Sequence, residues 1–189
     1  MQIYLISPEK IHNIIVFIQE LEEIFTLPQK PTMFQLRLKN TNIQTIEQII
    51  IPIKLLCDKH SVLLILNDNI PLALKYNVGV HIGCHDATKE DVINFTKQSN
   101  KVIGVSCYNS IARALDFGSI VHYVSFGAMF PSNTKQTALQ CDKSTIINFR
   151  KQSNSKISVI GGITQFTIPQ MSELLPFIDY ICVLSAVWH

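Results

Sequence analysis

The chain has 189 residues and a mass of 21.4 kDa, which suits one domain spanning residues 1–189, since a single hydrophobic core grows to roughly 250 residues before chains divide. Hydrophobic residues make up 47% and charged ones 16%, a balance that excludes disorder. Sixteen basic against fourteen acidic residues leave a formal charge of +2, too little to advertise nucleic acid or an anionic membrane as a partner.

In chain order the sequence predicts a strand at Ile3–Ile6, a helix at 11–24, a strand at 33–38 and a helix at 43–59. A strand at 62–66, a short helix at 71–76, a strand at 78–82 and a helix at 89–98 follow. The last elements are a strand at 102–106, a helix at 110–117, a strand at 121–126, a helix at 144–151, a strand at 157–160, a helix at 164–175 and a strand at 180–184. The strand segments are mostly continuous apolar runs, as expected of parallel strands buried on both faces. Strict alternation with helices implies right-handed βαβ units, and eight of them close into a compact (β/α)8 barrel of the TIM type more naturally than they lie as an open doubly wound sheet. The helix after the eighth strand is largely missing, which predicts uncovered apolar wall beside strands one and eight and subunit association there as a homo-oligomer.

Cys57, Cys84, Cys107, Cys141 and Cys182 are scattered without CxxC spacing, so neither a disulfide framework nor a zinc knuckle is implied and reduced thiols in the cytoplasm are expected. The segment Met1–Pro8 lacks the basic start of a signal peptide, and no apolar run approaches the roughly 18 residues that cross a bilayer.

Barrel chemistry sits at the C-terminal ends of strands, and polar residues terminate these runs consistently. The second ends in Gln35-Leu-Arg37-Leu-Lys39, the third in Asn67-Asp68, the fourth in Gly83 before Asp86, and the fifth in Gly104-Val-Ser106. The sixth leads into Ser132, Thr134 and Lys135, hydroxyls and a lysine suited to an anion. The seventh ends in Gly161-Gly162 and the eighth in Leu184-Ser185, where backbone can approach the phosphate that this fold binds repeatedly. Two carboxylates, Asp68 and Asp86, at adjacent strand ends suit Mg²⁺, which needs one or two carboxylates and completes its shell with water and phosphate. His81, Cys84, His85 and Asp86 bunch in sequence, but His81 belongs to a buried strand and should point elsewhere than His85, which argues against zinc. Cys107 beside Ser106 has no neighbouring histidine in the sequence and is not read as a nucleophile.

Gln35-Leu-Arg-Leu-Lys39, Ile65-Leu-Asn-Asp68, Gly79-Val-His-Ile-Gly83 with Asp86, Ile103-Gly-Val-Ser106, Phe126-Gly-Ala-Met-Phe-Pro131 with Thr134-Lys135, Ile160-Gly-Gly-Ile163 and Val183-Leu-Ser-Ala186 together resemble, in order, the motifs of the thiamine phosphate synthase family. The resemblance implies a transferase that joins hydroxymethylpyrimidine diphosphate to thiazole phosphate and releases pyrophosphate. It implies Mg²⁺ on Asp68 and Asp86, with Arg37, Lys39 and Lys135 neutralising the departing anion. It further implies that Asn67, Ser132 and Thr134 orient the diphosphate, that Ser106 faces the pyrimidine or the diphosphate, that the backbone around Gly161, Gly162 and Ser185 holds the thiazole phosphate, and that Gln35 and Leu184 also bind substrate. The chain departs from the family pattern at Leu38, Asn40, Cys84-His85 and Cys141. A thiazole tautomerase-like enzyme and a non-catalytic phosphate-ligand-binding barrel are the alternatives. The first tends to lack the metal acids and carries a histidine where this chain has Tyr108.

Overall fold

A computed structural model of the chain describes residues 1–131 and 140–188. Eight parallel strands close into a barrel in sequence order, β1 also pairing with β8. They are β1 (Gln2–Ile6), β2 (Met33–Leu36), β3 (Leu63–Asn67), β4 (Gly79–Ile82), β5 (Ile103–Tyr108), β6 (Tyr123–Gly127), β7 (Lys156–Ile160) and β8 (Tyr180–Val183). Between them run α1 (Ile14–Thr26), α2 (Ile43–His60), α3 (Ile70–Tyr76), α4 (Lys89–Gln98), α5 (Ile111–Gly118) and α6 (Lys143–Gln152). The segment between β7 and β8 is a 3-10 helix, Ile168–Phe177, rather than the expected α-helix. Pro169 in its first turn and Pro176 near its end remove backbone donors that an α-helix would use.

Alternation along each strand sorts side chains between two cores. Tyr4, Ile6, Met33, Ile65, Tyr123, Tyr180 and Cys182 fill the barrel interior. Leu5, Phe34, Leu64, Val105, Val124 and Ile181 face the helices. Both faces of the strands are thus buried and mostly apolar, with polar exceptions such as Gln35, His81, Ser125 and Ser158, and the runs read as nearly continuous. Helix starts follow local capping. Asn13 accepts from the N–H groups of Ile15 and Val16, so α1 begins at Ile14 and not at Ile11, and Thr88 with Asp91 forms a capping box on α4.

After β8, Val187 and Trp188 donate to the Leu184 carbonyl in a single turn. The indole of Trp188 lies 5.1 Å from the Phe17 ring and its Nε1 donates to the Ile6 carbonyl at 2.6 Å. Leu5 and Ile181 are 1% and 3% exposed, so the bare wall expected beside β1 and β8 is covered, and that motive for subunit association disappears. Exposed apolar side chains stand instead on the helices, at Ile15 and Val16 of α1 and at Ile51 and Leu55 of α2. No helix among the described residues is long and apolar enough to cross a membrane.

Candidate active site

The C-terminal ends of the strands enclose a cavity of about 390 Å³, within the range of small-molecule sites. Arg37, Lys39, Asn67, Asp68, Gly83 and Asp86 line one side of its mouth, and Gly161, Gly162, Leu184 and Ser185 line the other. Gln35 and Ser106 reach it from inside the barrel. Every site residue expected from sequence that the structure describes therefore borders this one cavity. Ser132, Thr134 and Lys135 lie outside the described residues.

Arg37 and Lys39 follow the end of β2, where the peptide N–H of Arg37 donates to Ser7 Oγ at 2.9 Å and that of Lys39 to the Glu9 carbonyl at 3.1 Å. Both cationic heads converge on one atom: Glu9 Oε1 lies 2.6 Å from Arg37 Nη1 and 3.1 Å from Lys39 Nζ. The Arg37 hydrogen bond is the main reason the Glu9 carboxyl is held below its usual range. Sequence reading found the two cations but not this partner, which no spacing rule connects to them.

Asp68 sits at φ 60°, a left-handed turn that asparagine and aspartate tolerate. Its Oδ1 accepts from the Gly83 N–H at 2.8 Å and its Oδ2 accepts from Asn67 Nδ2. Burial pushes its carboxyl up, the Gly83 N–H opposes that, and the nearby Asp86 carboxylate adds to the rise. A Cβ placed on Gly83 would stand 2.1 Å from Asp86 Oδ2 and 3.3 Å from Asp68 Oδ1. Only a bare backbone there lets both acids approach, and their mutual repulsion is relieved by a divalent cation. The residues therefore fit Mg²⁺, with room at the mouth for water and phosphate ligands.

The floor is a chain of hydrogen bonds. Gln35 Nε2 donates to Tyr4 Oη at 2.7 Å, Tyr4 Oη meets Tyr123 Oη at 2.8 Å, and His81 links Tyr123 Oη to Ser106 Oγ, each at 2.9 Å. Burial, with Arg37 a lesser cause, pushes the His81 imidazole down to about 4, so it is neutral near pH 7. Both its ring nitrogens are engaged inside the barrel, away from Cys84 and the exposed His85, which removes it from any zinc set. The residue with a histidine partner is Ser106, not Cys107; Cys107 is fully buried on the helix-facing side and its thiol is pushed up to about 12 by burial. Sequence reading missed Tyr4, His81 and Tyr123. The available signal was a polar side chain on an inward position of an otherwise apolar strand.

An unfolded chain takes up a proton near pH 6.5 that folded His81 refuses until about 4. Stability should therefore be intact above about pH 6.5 and fall as pH drops through the interval toward 4, by on the order of 2 kcal/mol between pH 7 and pH 5. Denaturant melts of the wild type and of His81→Gln at both pH values check this; an equal pH loss in both proteins would refute the assignment.

Gly161 and Gly162 both have positive φ, 102° and 62°. A Cβ on Gly162 would stand 2.6 Å from the Pro131 carbonyl oxygen and 2.8 Å from Phe130 Cβ, and one on Gly161 2.6 Å from Ala128 Cβ. The glycine pair thus serves close packing against the segment after β6 as well as any ligand. The Met129 and Phe130 N–H groups donate to the Ile160 and Gly161 carbonyls. A side chain at Gly162 would therefore press on Phe130 and Pro131 as well as on its own turn. Ser185 is exposed and makes no hydrogen bond with any described residue. Cys141, which departs from the family pattern, fits without a left-handed turn, donating its N–H to the Ala128 carbonyl at 2.7 Å and its Sγ–H to Asn109 Oδ1 at 3.4 Å.

A family model for thiamine monophosphate synthase matches residues 3–187. The chain is 34% identical to the thiamine-phosphate synthase of Pelagibacter ubique across 99% of its own length and 88% of that protein, and 30% identical to that of an Azoarcus species across 98% and 88%. It belongs to the thiamine monophosphate synthase family. Among solved structures, thiamine phosphate pyrophosphorylase from Pyrococcus furiosus superposes with a TM-score of 0.80 at 23% identity, covering 98% of this chain and 86% of that one. A 3-hexulose-6-phosphate synthase from Salmonella typhimurium reaches 0.67 at 16% identity over 98% and 90%. Those two likenesses establish the barrel; the synthase family rests on the sequence matches.

Proposed function

We propose that residues 1–189 act as one domain, a thiamine-phosphate synthase that joins hydroxymethylpyrimidine diphosphate to thiazole phosphate, releasing pyrophosphate and forming thiamine phosphate. The observation that carries this reading is the meeting of Asp68, Asp86, Arg37 and Lys39 at one side of the mouth, above a neutral hydrogen-bonding floor. Diphosphate departure breaks the bond between the pyrimidine methylene carbon and the bridging oxygen, and the electron pair leaves with pyrophosphate. The thiazole nitrogen lone pair then bonds to the methylene carbon, and no proton need be transferred.

Arg37 and Lys39 attract the anion as its charge grows, which is where electrostatic preorganisation acts most strongly. Asp68 and Asp86 would hold Mg²⁺, which when bound supplies charge neutralisation for the diphosphate oxygens. Asn67 holds the Asp68 carboxylate in place. Because His81 is uncharged, the floor offers Ser106 to the pyrimidine without setting a positive charge against the cation forming on the methylene. The Gly161-Gly162 and Leu184-Ser185 backbones would hold the thiazole phosphate, and Ser132, Thr134 and Lys135 would complete the diphosphate side. The cytoplasm supplies the setting this reading implies.

Incubation of the purified chain with both phosphorylated halves and Mg²⁺ should yield thiamine phosphate, detected by oxidation to its fluorescent product, and chelation should stop it. Absence of product with both substrates bound would point to a phosphate-ligand binder. Isomerisation of the thiazole phosphate alone would point to a tautomerase.

A further inference from the structure

Glu9 stands beside the cavity rim, against Arg37 and Lys39, and neither the metal reading nor the backbone explains it. Its carboxylate oxygen contacts both Arg37 and Lys39, the two cations read above as diphosphate ligands. Local structure does not depend on that carboxylate. The end of β2 is already tied to the end of β1 through Ser7 N–H to the Gln35 carbonyl at 2.8 Å, Arg37 N–H to Ser7 Oγ, and Lys39 N–H to the Glu9 backbone carbonyl. Side-chain exposures of 37% for Glu9, 22% for Arg37 and 51% for Lys39 place the trio at the rim, open to an incoming anion. Asp68 and Asp86 line the cavity beside them, so among the described residues of this rim three acids stand with two cations.

We infer that Glu9 is a resident counter-charge that competes with diphosphate for Arg37 and Lys39 and so limits how tightly pyrophosphate is retained. The inference rests on the proposed diphosphate site. A diphosphate oxygen entering between the two cations displaces the carboxylate or shares them with it, and either way the anion gains less than two free cations would give. Glu9 then acts as a positioning residue: it holds both cationic heads in place while the site is empty and yields them when substrate arrives. Product leaves more readily because the carboxylate returns.

Glu9→Gln keeps the shape and an acceptor oxygen but removes the charge. Calorimetric titration of the full chain with inorganic pyrophosphate, with and without Mg²⁺, should show a dissociation constant lowered about threefold to tenfold, the size expected of one charge a few ångströms from a polyanion in a half-exposed mouth. Product inhibition by pyrophosphate should strengthen to match, and KM for the diphosphate substrate should fall without a rise in kcat, while KM for thiazole phosphate stays put. Glu9→Asp, which retains the charge, should return pyrophosphate affinity toward that of the wild type. Unchanged or weaker pyrophosphate binding in Glu9→Gln, or equally tight binding in Glu9→Asp, would overturn the inference while leaving the site reading in place. Arg37→Gln separates the two failures. If the wild type binds no pyrophosphate, or Arg37→Gln binds it as well as the wild type does, the diphosphate site is misplaced and the counter-charge falls with it.

Discussion

Asp68→Asn should lower kcat by about 10² to 10³, the usual cost of removing one preorganised electrostatic contact, and should raise the Mg²⁺ concentration needed for half-maximal rate. The substitution is gentle on the fold. Asparagine tolerates the left-handed φ of 60° at this position as well as aspartate does, and its amide oxygen can still accept from the Gly83 N–H. What it loses is charge, and with it the acceptor that Asn67 now uses. Circular dichroism should therefore match the wild type while turnover collapses. A kcat within threefold of the wild type across a full Mg²⁺ titration would show that the carboxylate pair beside Gly83 has no metal role.

Gly104→Ala should be strongly destabilising. The added Cβ would stand 2.0 Å from Tyr123 Cζ and 2.4 Å from both Cε atoms, so the ring of a residue 1% exposed would have to move. Gly104 does not use positive φ, and the cost is wholly steric. Overpacking costs about 1–3 kcal/mol, and stranding a buried hydroxyl between Tyr4 and His81 costs about 1–3 more. A loss near 3 kcal/mol should drop the melting temperature by roughly 6–12 °C. Activity should fall as well, because His81 is stacked on that ring and bonded to its hydroxyl. A melt within 2 °C of the wild type would mean that the ring relocates at no cost.

How much of this was legible beforehand follows from the range of the forces involved. Strands such as Gly79–Ile82 and helices such as Lys89–Gln98 were readable because burial on both faces and caps such as Thr88 act within a few residues. Closure into a barrel followed from counting βα units. The 3-10 character of 168–177 was missed because its apolar spacing resembles an α-helix and only the two prolines speak against it. Site residues at strand ends were found because the fold sends them to one mouth. The links from Glu9 to Arg37 and from Tyr4 through Tyr123 to His81 were not, since they join residues 28, 119 and 42 positions apart, and only strand register and tilt bring these together. Covering of the β1–β8 seam by Trp188 escaped for the same reason.

The hydrogen-bond chain across the floor also has a direction. Gln35 Nε2 can only donate, so Tyr4 Oη is an acceptor at that end. Tyr4 is 1% exposed and meets only one other group among the described residues, Tyr123 Oη, so its own proton must go there. Tyr123 then gives its proton to His81 Nδ1, which fixes the tautomer with the hydrogen on Nε2, and that hydrogen points at Ser106 Oγ. Ser106 is left with its hydroxyl hydrogen aimed outward. One amide at the far wall of the barrel therefore sets the polarity of a hydroxyl four hydrogen bonds away, and the floor presents a donor to whatever ring lies on it. An aromatic nitrogen with a free lone pair accepts that hydrogen directly, whereas a ring N–H in the same place would have to turn the Ser106 hydroxyl aside and use its second lone pair, the relay behind it keeping its direction.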